Sequence, residues 1–162
     1  MNNDINTCKS IYNHRHHSLR KGRWSEPGRQ YLVSTVTYDR TPFFLDIVTG
    51  RLVVSEMHRL DTEGHVESKA WVIMPDHLHW LVALSGAKEL SEVMMLLKGR
   101  SSQRINKHLK RKGPVWSRAF HDHALRKEED IVATARYIVN NPIRAGLVAH
   151  IGEYSLWDAV WI

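Results

Sequence analysis

Two apolar runs separated by only two residues constrain the fold of this chain more than any other feature. The runs are 69–74 and 77–84, and Pro75-Asp76 between them is a turn sequence. This pattern predicts a β-hairpin. Both faces of the second run are largely apolar, with His77, His79 and Leu81 on one face. Such a strand is typical of the centre of a sheet that is covered on both sides.

The rest of the chain adds strands and helices in an alternating order. The predicted elements are a strand over 31–38, a helix in the second half of 44–60 beyond Gly50, a helix over 89–109 with Ser91 as N-cap, a strand over 119–126 and a helix that ends near Asn140. With the hairpin, the order is strand, helix, two strands, helix, strand, helix. It predicts an α+β, ferredoxin-like antiparallel sheet (split βαβ) with helices packed on it.

Length and composition indicate one domain and exclude a membrane-spanning chain. The 162 residues suit a single domain over 30–162, preceded by a basic, flexible arm over 1–29. No apolar run approaches the roughly 18–20 residues of a membrane span, and the first 20 residues contain no apolar signal core. Cys8 is the only cysteine, which fits a reducing compartment. We therefore expect a cytoplasmic, nucleoid-associated protein with no membrane partner.

Basic residues are in excess and are concentrated in one helix. The net charge is +6 and the sequence pI is about 9.6, values that are common among proteins that bind polyanions. No acidic residue occurs between Lys98 and Lys112. This favours phosphate contact over a merely solvated helix face. The candidate DNA-binding residues are Lys98, Arg100, Arg104, Lys107, Arg118 and Arg144, with Arg15, Arg20 and Arg23 in the arm.

Two pairs of polar residues carry the candidate chemistry. His77 and His79 point the same way on a strand and can share a metal ion, or they can be two hydrogen-bonded histidines of the interior. Tyr137 and Asn141 lie one helical turn apart on one face, where a tyrosine is more often a packing residue. Together, two imidazoles and an amide oxygen form an incomplete coordination sphere for a divalent cation, next to a phenol that can attack phosphorus.

The phenol needs activation, since the pKa of tyrosine is normally near 10. The candidates for proton transfer are Asp76, His121 and His123.

Two rival interpretations stay open. The first is a metal-dependent hydrolase in which His77, His79, His121 and His123 bind one zinc ion. The second is a non-catalytic protein that binds nucleic-acid hairpins, with bases stacking on aromatic residues such as Trp24 or Trp116.

Four segments together resemble the REP-associated tyrosine transposases, within the HUH single-tyrosine transposases of insertion sequences. The segments are WVIMPDHLHW (71–80), LKGRSS with Ile105-Asn106 (97–106), VW followed by FHDHALR (115–126) and ARYIVNNPIRAGLV (135–148). The resemblance covers roughly residues 30–150.

The resemblance implies a reaction and a role for each site residue. His77, His79 and Asn141 would bind Mg²⁺ or Mn²⁺, and Tyr137 would be the nucleophile. The implied reaction is cleavage and rejoining of single-stranded DNA through a 5′-phosphotyrosine, which leaves a free 3′-OH. The implied substrates are hairpins of repetitive extragenic palindromes (REP). Relatives act as monomers or as homodimers, so both states are compatible with the resemblance.

Overall fold

The computed structural model describes residues 28–126 and 131–161. The predicted arm lies outside this part of the chain, except for its last two residues. The strands are β1 (Gln30–Val36), β2 (Val66–Met74), β3 (His77–Leu84), β4 (His121–Ala124) and β5 (Trp157–Ala159). The helices are α1 (Ile47–Thr62), α2 (Leu90–His108), α3 (Ile131–Val139) and α4 (Asn141–Arg144), with short 3₁₀ turns at Tyr38–Arg40, Phe43–Leu45 and Ile151–Glu153.

The five strands form one antiparallel sheet in the order β4-β1-β3-β2-β5. Helices α1 and α2 pack on one face, around a core that includes Trp80 and Leu78. Helix α3 packs on the other face, around Leu81 and Val72. The α+β prediction is therefore confirmed, and β3 is a central strand covered on both sides. No described helix is long and apolar enough to cross a membrane.

Two local predictions were wrong in detail, and one strand was not predicted. Glu89, not Ser91, is the N-cap of α2, in a capping box with Glu92. Helix α1 begins at Ile47, before Gly50, because the Asp46 side chain accepts a hydrogen bond from Val48 N–H and caps the helix there. The C-terminal segment contributes the edge strand β5, which has no apolar alternation long enough to indicate a strand.

Candidate active site

Two histidines of β3 form the centre of the site. Their rings are in edge-to-face contact, with centroids 4.9 Å apart. His79 is only 8% exposed, because α3 covers this face of the sheet. His77 is the first residue of the strand and lies directly after the β2–β3 turn. The strand alternation thus brings both imidazoles to one face, as the sequence predicts.

Each imidazole is oriented by a hydrogen bond at Nδ1. Ser34 of β1 is the register partner of His79, and its Oγ lies 2.6 Å from His79 Nδ1. His77 Nδ1 donates to Asp76 Oδ1 over 2.5 Å. Contacts of this kind hold the ring and the tautomer of metal-binding histidines.

The electrostatics of the site favour a neutral His79 beside an ionised Asp76. Burial lowers the pKa of His79 to about 3, with further contributions from the charges of His77, Arg144 and Arg40. Burial alone would raise the pKa of Asp76, but the hydrogen bond and charge of His77 and the charge of Arg40 outweigh it and hold that pKa below its usual value. A neutral imidazole is the form that binds a metal ion at neutral pH.

Arg144 connects the helix residues to the histidines. Its guanidinium carbon lies 4.2 Å from the centroid of the Tyr137 ring, and its Nη1 lies 3.4 Å from Asn141 Oδ1. The Arg144 charge also acts on His79. The Asn141 amide is fixed at its other end, because Nδ2 donates to Ile138 O over 2.9 Å. The Arg144 guanidinium group therefore lies against the Tyr137 ring and the Asn141 amide oxygen, and its charge acts on His79.

The residues present suit a divalent cation. Two imidazole nitrogens oriented through Nδ1 and one amide oxygen are ligands that Mn²⁺ accepts, and Mg²⁺ accepts with additional water or phosphate oxygens. The His79 imidazole is already in the ligating protonation state. The set includes only two residues among His, Cys, Asp and Glu, and the described part of the chain holds no cluster of three or more of these residues suited to a metal.

The four-histidine zinc site is not formed. His121 and His123 lie on β4, which is separated from β3 by the whole of β1. His121 is the register partner of Ser34, and Ser34 is the partner of His79. The two histidine pairs thus share one face of the sheet but are two strands apart, roughly 10 Å at the usual strand spacing. This geometry removes the basis of the four-histidine hydrolase.

Several predicted DNA-binding residues have partners within the protein. Arg100 Nη1 donates to Glu63 Oε2 over 2.9 Å, and Arg104 Nη1 donates to Glu56 Oε1 over 2.8 Å. Lys98 Nζ donates to the carbonyl oxygens of the 117–119 segment. The acids that pair with Arg100 and Arg104 are thus supplied by α1 and by its C-cap residue Glu63. The argument from uncompensated charge therefore does not support DNA contact by these two arginines, whereas Lys107, Arg118 and Arg144 are exposed.

Trp116 belongs to the core and not to a base-stacking surface. It is only 6% exposed, and its Nε1 donates to Ser101 Oγ over 3.0 Å. Its ring contacts Phe44 at a centroid distance of 5.2 Å. The other stacking candidate, Trp24, and the arginines of the arm (Arg15, Arg20 and Arg23) lie outside the described residues.

Two residues of the site carried no signal in the sequence. Ser34 is one polar residue in an apolar strand, and its value depends on the β1–β3 register, which a single sequence does not specify. Arg40 lies in the turn after β1, and its Nη1 is 3.3 Å from Asp76 Oδ2. In the sequence, Arg40 marks only the end of the strand predicted over 31–38.

Two solved structures that share this fold are described as transposases. One is a REP-associated tyrosine transposase bound to a REP hairpin, with a TM-score of 0.69 and 18% identity over 86% of this chain and 82% of that one. Another is a Deinococcus radiodurans protein assigned as a transposase, with a TM-score of 0.54 and 22% identity over 76% of this chain and 97% of that one. Both likenesses concern the fold.

The chain belongs to the family described as IS200-like transposases, whose family model matches residues 27–141. It is therefore a transposase-type enzyme that acts on DNA. A Haemophilus influenzae protein assigned as a REP-associated tyrosine transposase is 24% identical over 138 residues, covering 78% of this chain and 77% of that one. The REP-associated tyrosine transposase of Escherichia coli is 28% identical over 89 residues, and this match spans about half of each chain.

Proposed function

We propose that this protein cleaves and rejoins single-stranded DNA beside REP-like hairpins, through a 5′-phosphotyrosine on Tyr137 and with Mg²⁺ or Mn²⁺ bound by His77, His79 and Asn141. The observation that carries the proposal is the position of Arg144, which contacts Tyr137 and Asn141 and acts electrostatically on His79. A nucleophile and an amide oxygen at one guanidinium group, whose charge also acts on a neutral imidazole, fit phosphoryl transfer.

The proposed reaction conserves the energy of the phosphodiester bond. The Tyr137 oxygen attacks the scissile phosphorus, a new O–P bond forms, and the bond from phosphorus to the 3′ oxygen breaks. The phenolic proton is taken up by a base, and the released 3′ oxygen leaves as a hydroxyl group. Lewis-acid polarisation of the scissile phosphate is the chemistry that a cation bound at this site supplies. Attack by the 3′-OH on the phosphotyrosine reverses the sequence and rejoins the strand.

The proton-transfer candidates differ in suitability. Asp76 is held by His77 and Arg40, and its lowered pKa makes its carboxylate a weak base. The hydrogen bonds of Asp76 instead suit a residue that orients the His77 ring. His121 and His123 remain candidates because they lie on the same face of the sheet as His79.

The proposed substrate follows from charge and from the relatives. A related protein was solved with a REP hairpin bound, and the net charge of +6 favours a polyanion. Lys107, Arg118 and Arg144 are exposed and fit contacts with hairpin phosphates. We propose that the arm over 1–29 adds contacts through its own arginines, that the remainder works as one domain, and that the protein acts at the nucleoid as a monomer or a homodimer.

The test is covalent capture of a labelled hairpin. A hairpin oligonucleotide with a single-stranded flank, incubated with the protein and Mn²⁺, should give a protein–DNA band on a denaturing gel. Tyr137→Phe and removal of the metal with EDTA should each abolish that band. Tyr38→Phe is the matched control, since Tyr38 is exposed and lies outside the proposed site, and it should retain the band.

A non-catalytic hairpin-binding protein would give a different outcome. It would retard the oligonucleotide on a native gel and leave no covalent product in the presence of Mn²⁺ or Mg²⁺. That result with correctly folded wild-type protein would refute the proposed chemistry. Tyr137 and Asn141 at one guanidinium group, and the ring contact of His77 with His79, support the enzyme, because binding alone requires neither arrangement.

A further inference from the structure

Arg40 sits in a backbone conformation that residues other than glycine rarely adopt. In the turn after β1, Asp39 and Arg40 have φ values of +51° and +54°, so two consecutive residues are left-handed. Such a conformation is costly for residues that carry a Cβ atom. It persists only where the surrounding structure imposes it, and it is commonest at functional sites.

The turn is fastened directly to the β2–β3 connection. The backbone N–H and the Oγ1 of Thr37 both donate to Asp76 O, over 2.9 Å and 3.0 Å. Thr37 is completely buried. On the other side of the turn, Phe44 N–H donates to Pro75 O over 3.0 Å. These bonds hold the strained turn against the loop that carries Asp76 and His77.

The consequence of this arrangement is the position of one guanidinium group. Arg40 Nη1 lies 3.3 Å from Asp76 Oδ2, and the other oxygen of the same carboxylate accepts from His77 Nδ1. The Arg40 side chain is nevertheless 63% exposed. An ion pair this exposed contributes little to stability. The small stabilisation from this ion pair therefore does not explain why the chain keeps Arg40 in a costly backbone conformation.

Arg40 and Arg144 approach the proposed cation site from different elements. Arg40 reaches His77 through the shared Asp76 carboxylate, and Arg144 lies 3.4 Å from the Asn141 amide oxygen, so each guanidinium group is next to a proposed cation ligand or to the group that orients one. Arg144 comes from α4 and covers the Tyr137 ring. Arg40 comes from the turn after β1, and Asp76 is its side-chain partner among the described residues.

We propose that Arg40 binds the scissile phosphate of the DNA substrate. The proposal rests on the proposed function, since it assigns a residue to the substrate of that same site. A guanidinium group has five N–H donors in a planar fork that matches phosphate oxygens. The contact with Asp76 aims this fork, and the exposed part of the group faces solvent, where a strand can enter. Arg40 would neutralise charge on the phosphate that Tyr137 attacks.

The experiment removes the charge of that single phosphate. In a Tyr137→Phe background, which cannot react, and in EDTA, so that no cation contacts the phosphate, the Kd for a hairpin oligonucleotide is compared with the Kd for the same oligonucleotide carrying a neutral methylphosphonate at the mapped cleavage position. With Arg40 present, the methylphosphonate should weaken binding about 10- to 100-fold, the size expected for lost hydrogen bonds to a charged group. With Arg40→Gln, the two Kd values should agree within about threefold, because that contact is already absent.

The control is Arg59→Gln. Arg59 lies in α1, its side chain is 58% exposed, and it pairs with the Glu63 carboxylate at 2.8 Å. It therefore matches Arg40 in exposure and in the type of partner, but α1 packs on the face of the sheet opposite to α3. The Arg59→Gln variant should bind the methylphosphonate oligonucleotide as much more weakly than the unmodified one as the parent protein does. Arg40→Lys, which keeps the charge but not the fork, should give an intermediate ratio.

The possible results separate this proposal from the proposed function. If Arg40→Gln retains the discrimination of the parent protein, or weakens both oligonucleotides equally, Arg40 has only a structural role and the proposal is overturned. If wild-type protein forms no covalent product with any hairpin, the proposed function fails and this assignment fails with it. A covalent product together with loss of discrimination in Arg40→Gln supports both.

Discussion

At the scale of single residues, the hydroxyl of Ser34 is the least conspicuous part of the site. It holds His79 Nδ1 at 2.6 Å from the neighbouring strand. We expect Ser34→Ala to weaken Mn²⁺ binding about 10- to 100-fold, the range for groups that orient a metal-binding histidine. Calorimetric titration of the DNA-free protein with Mn²⁺ measures this.

The control for Ser34 is Ser91→Ala. Ser91 is exposed at the start of α2, and the helix is capped by Glu89 instead. This variant should bind Mn²⁺ like the wild type. An unchanged Mn²⁺ affinity in Ser34→Ala would show that the hydrogen bond does not orient the ligand.

Arg104 provides a second prediction at this scale, because its partner is buried. Glu56 is only 3% exposed on its side chain, whereas the Arg104 side chain is 42% exposed. Arg104→Ala leaves a buried carboxylate without its counter-charge. We expect a loss of about 1–3 kcal/mol in the free energy of unfolding, less than for a fully buried pair because water screens the arginine. Urea denaturation measures it.

The comparison that isolates the pair is Glu56→Gln/Arg104→Ala. If the loss arises from the unpaired carboxylate, this double variant should recover part of it. Lys107→Ala, on the same helix but exposed, should change the free energy of unfolding by less than about 0.5 kcal/mol. Equal stabilities for Arg104→Ala and Lys107→Ala would refute a structural role for Arg104.

Residues linked by short spacing were predictable, and residues linked by tertiary contact were not. His77 and His79 are two apart on a strand, and Tyr137 and Asn141 are four apart on a helical segment, so local geometry alone predicts that each pair shares a face. Glu56, by contrast, is 48 residues from Arg104 in the sequence. The Glu56 carboxylate neutralises a charge of the basic helix only because α1 packs against α2, and the sequence does not show this packing.

At the scale of secondary-structure elements, two glycines inside helices have opposite roles. A Cβ at Gly50 of α1 would lie 2.5 Å from Leu156 Cδ1, and Leu156 is itself buried in the core. A Cβ at Gly99 of α2 would meet nothing within 4 Å. The same substitution should therefore have opposite effects at the two positions.

We expect Gly50→Ala to destabilise the protein by about 1–3 kcal/mol, since it overpacks a filled core. Gly99→Ala should stabilise it by about 0.5–1 kcal/mol, since alanine favours the helix and finds open space. Thermal and urea unfolding of the two variants beside the wild type measure both values. Two changes of the same sign would contradict the packing described for these helices.

The elements themselves were largely predictable where the chain has a clear period. The hairpin of β2 and β3 follows from apolar runs around a turn sequence, and the observed β3 bounds match the predicted run. Strand β5 was not predicted because it has three residues, too few for a period to emerge. Its pairing with β2 is set by tertiary contacts of the C-terminal segment.

At the scale of the whole molecule, the C-terminal segment returns to the sheet and completes both cores. Leu156 packs into the core beneath α1 and α2, while Ala159 packs into the core beneath α3. Ile73 N–H donates to Leu156 O over 2.9 Å, and the Tyr154 hydroxyl donates to Ile73 O over 2.7 Å. Ile73 of β2 thus anchors the segment twice, because its N–H donates one hydrogen bond to the segment and its carbonyl oxygen accepts another from it.

This anchoring predicts how stability responds to alkaline pH. Burial raises the pKa of Tyr154 above its usual value near 10. The unfolded chain therefore loses the Tyr154 proton at lower pH than the folded protein does, so the stabilising contribution of the neutral phenol is present below pH 10 and is lost as the pH rises through the raised pKa. We expect the free energy of unfolding to fall more steeply between pH 9 and pH 11 in the wild type than in Tyr154→Phe.

Urea denaturation at several pH values in that interval measures the two slopes, and the other tyrosines and the lysines cancel in the difference between the proteins. Tyr38→Phe removes a phenol that is 47% exposed, and its slope should parallel that of the wild type. Parallel slopes for the wild type and Tyr154→Phe would mean that the Tyr154 hydroxyl does not hold the C-terminal segment. In that case the hydrogen bond between Ile73 and Leu156, together with the burial of Leu156, would have to hold the C-terminal segment on the sheet without the Tyr154 hydroxyl.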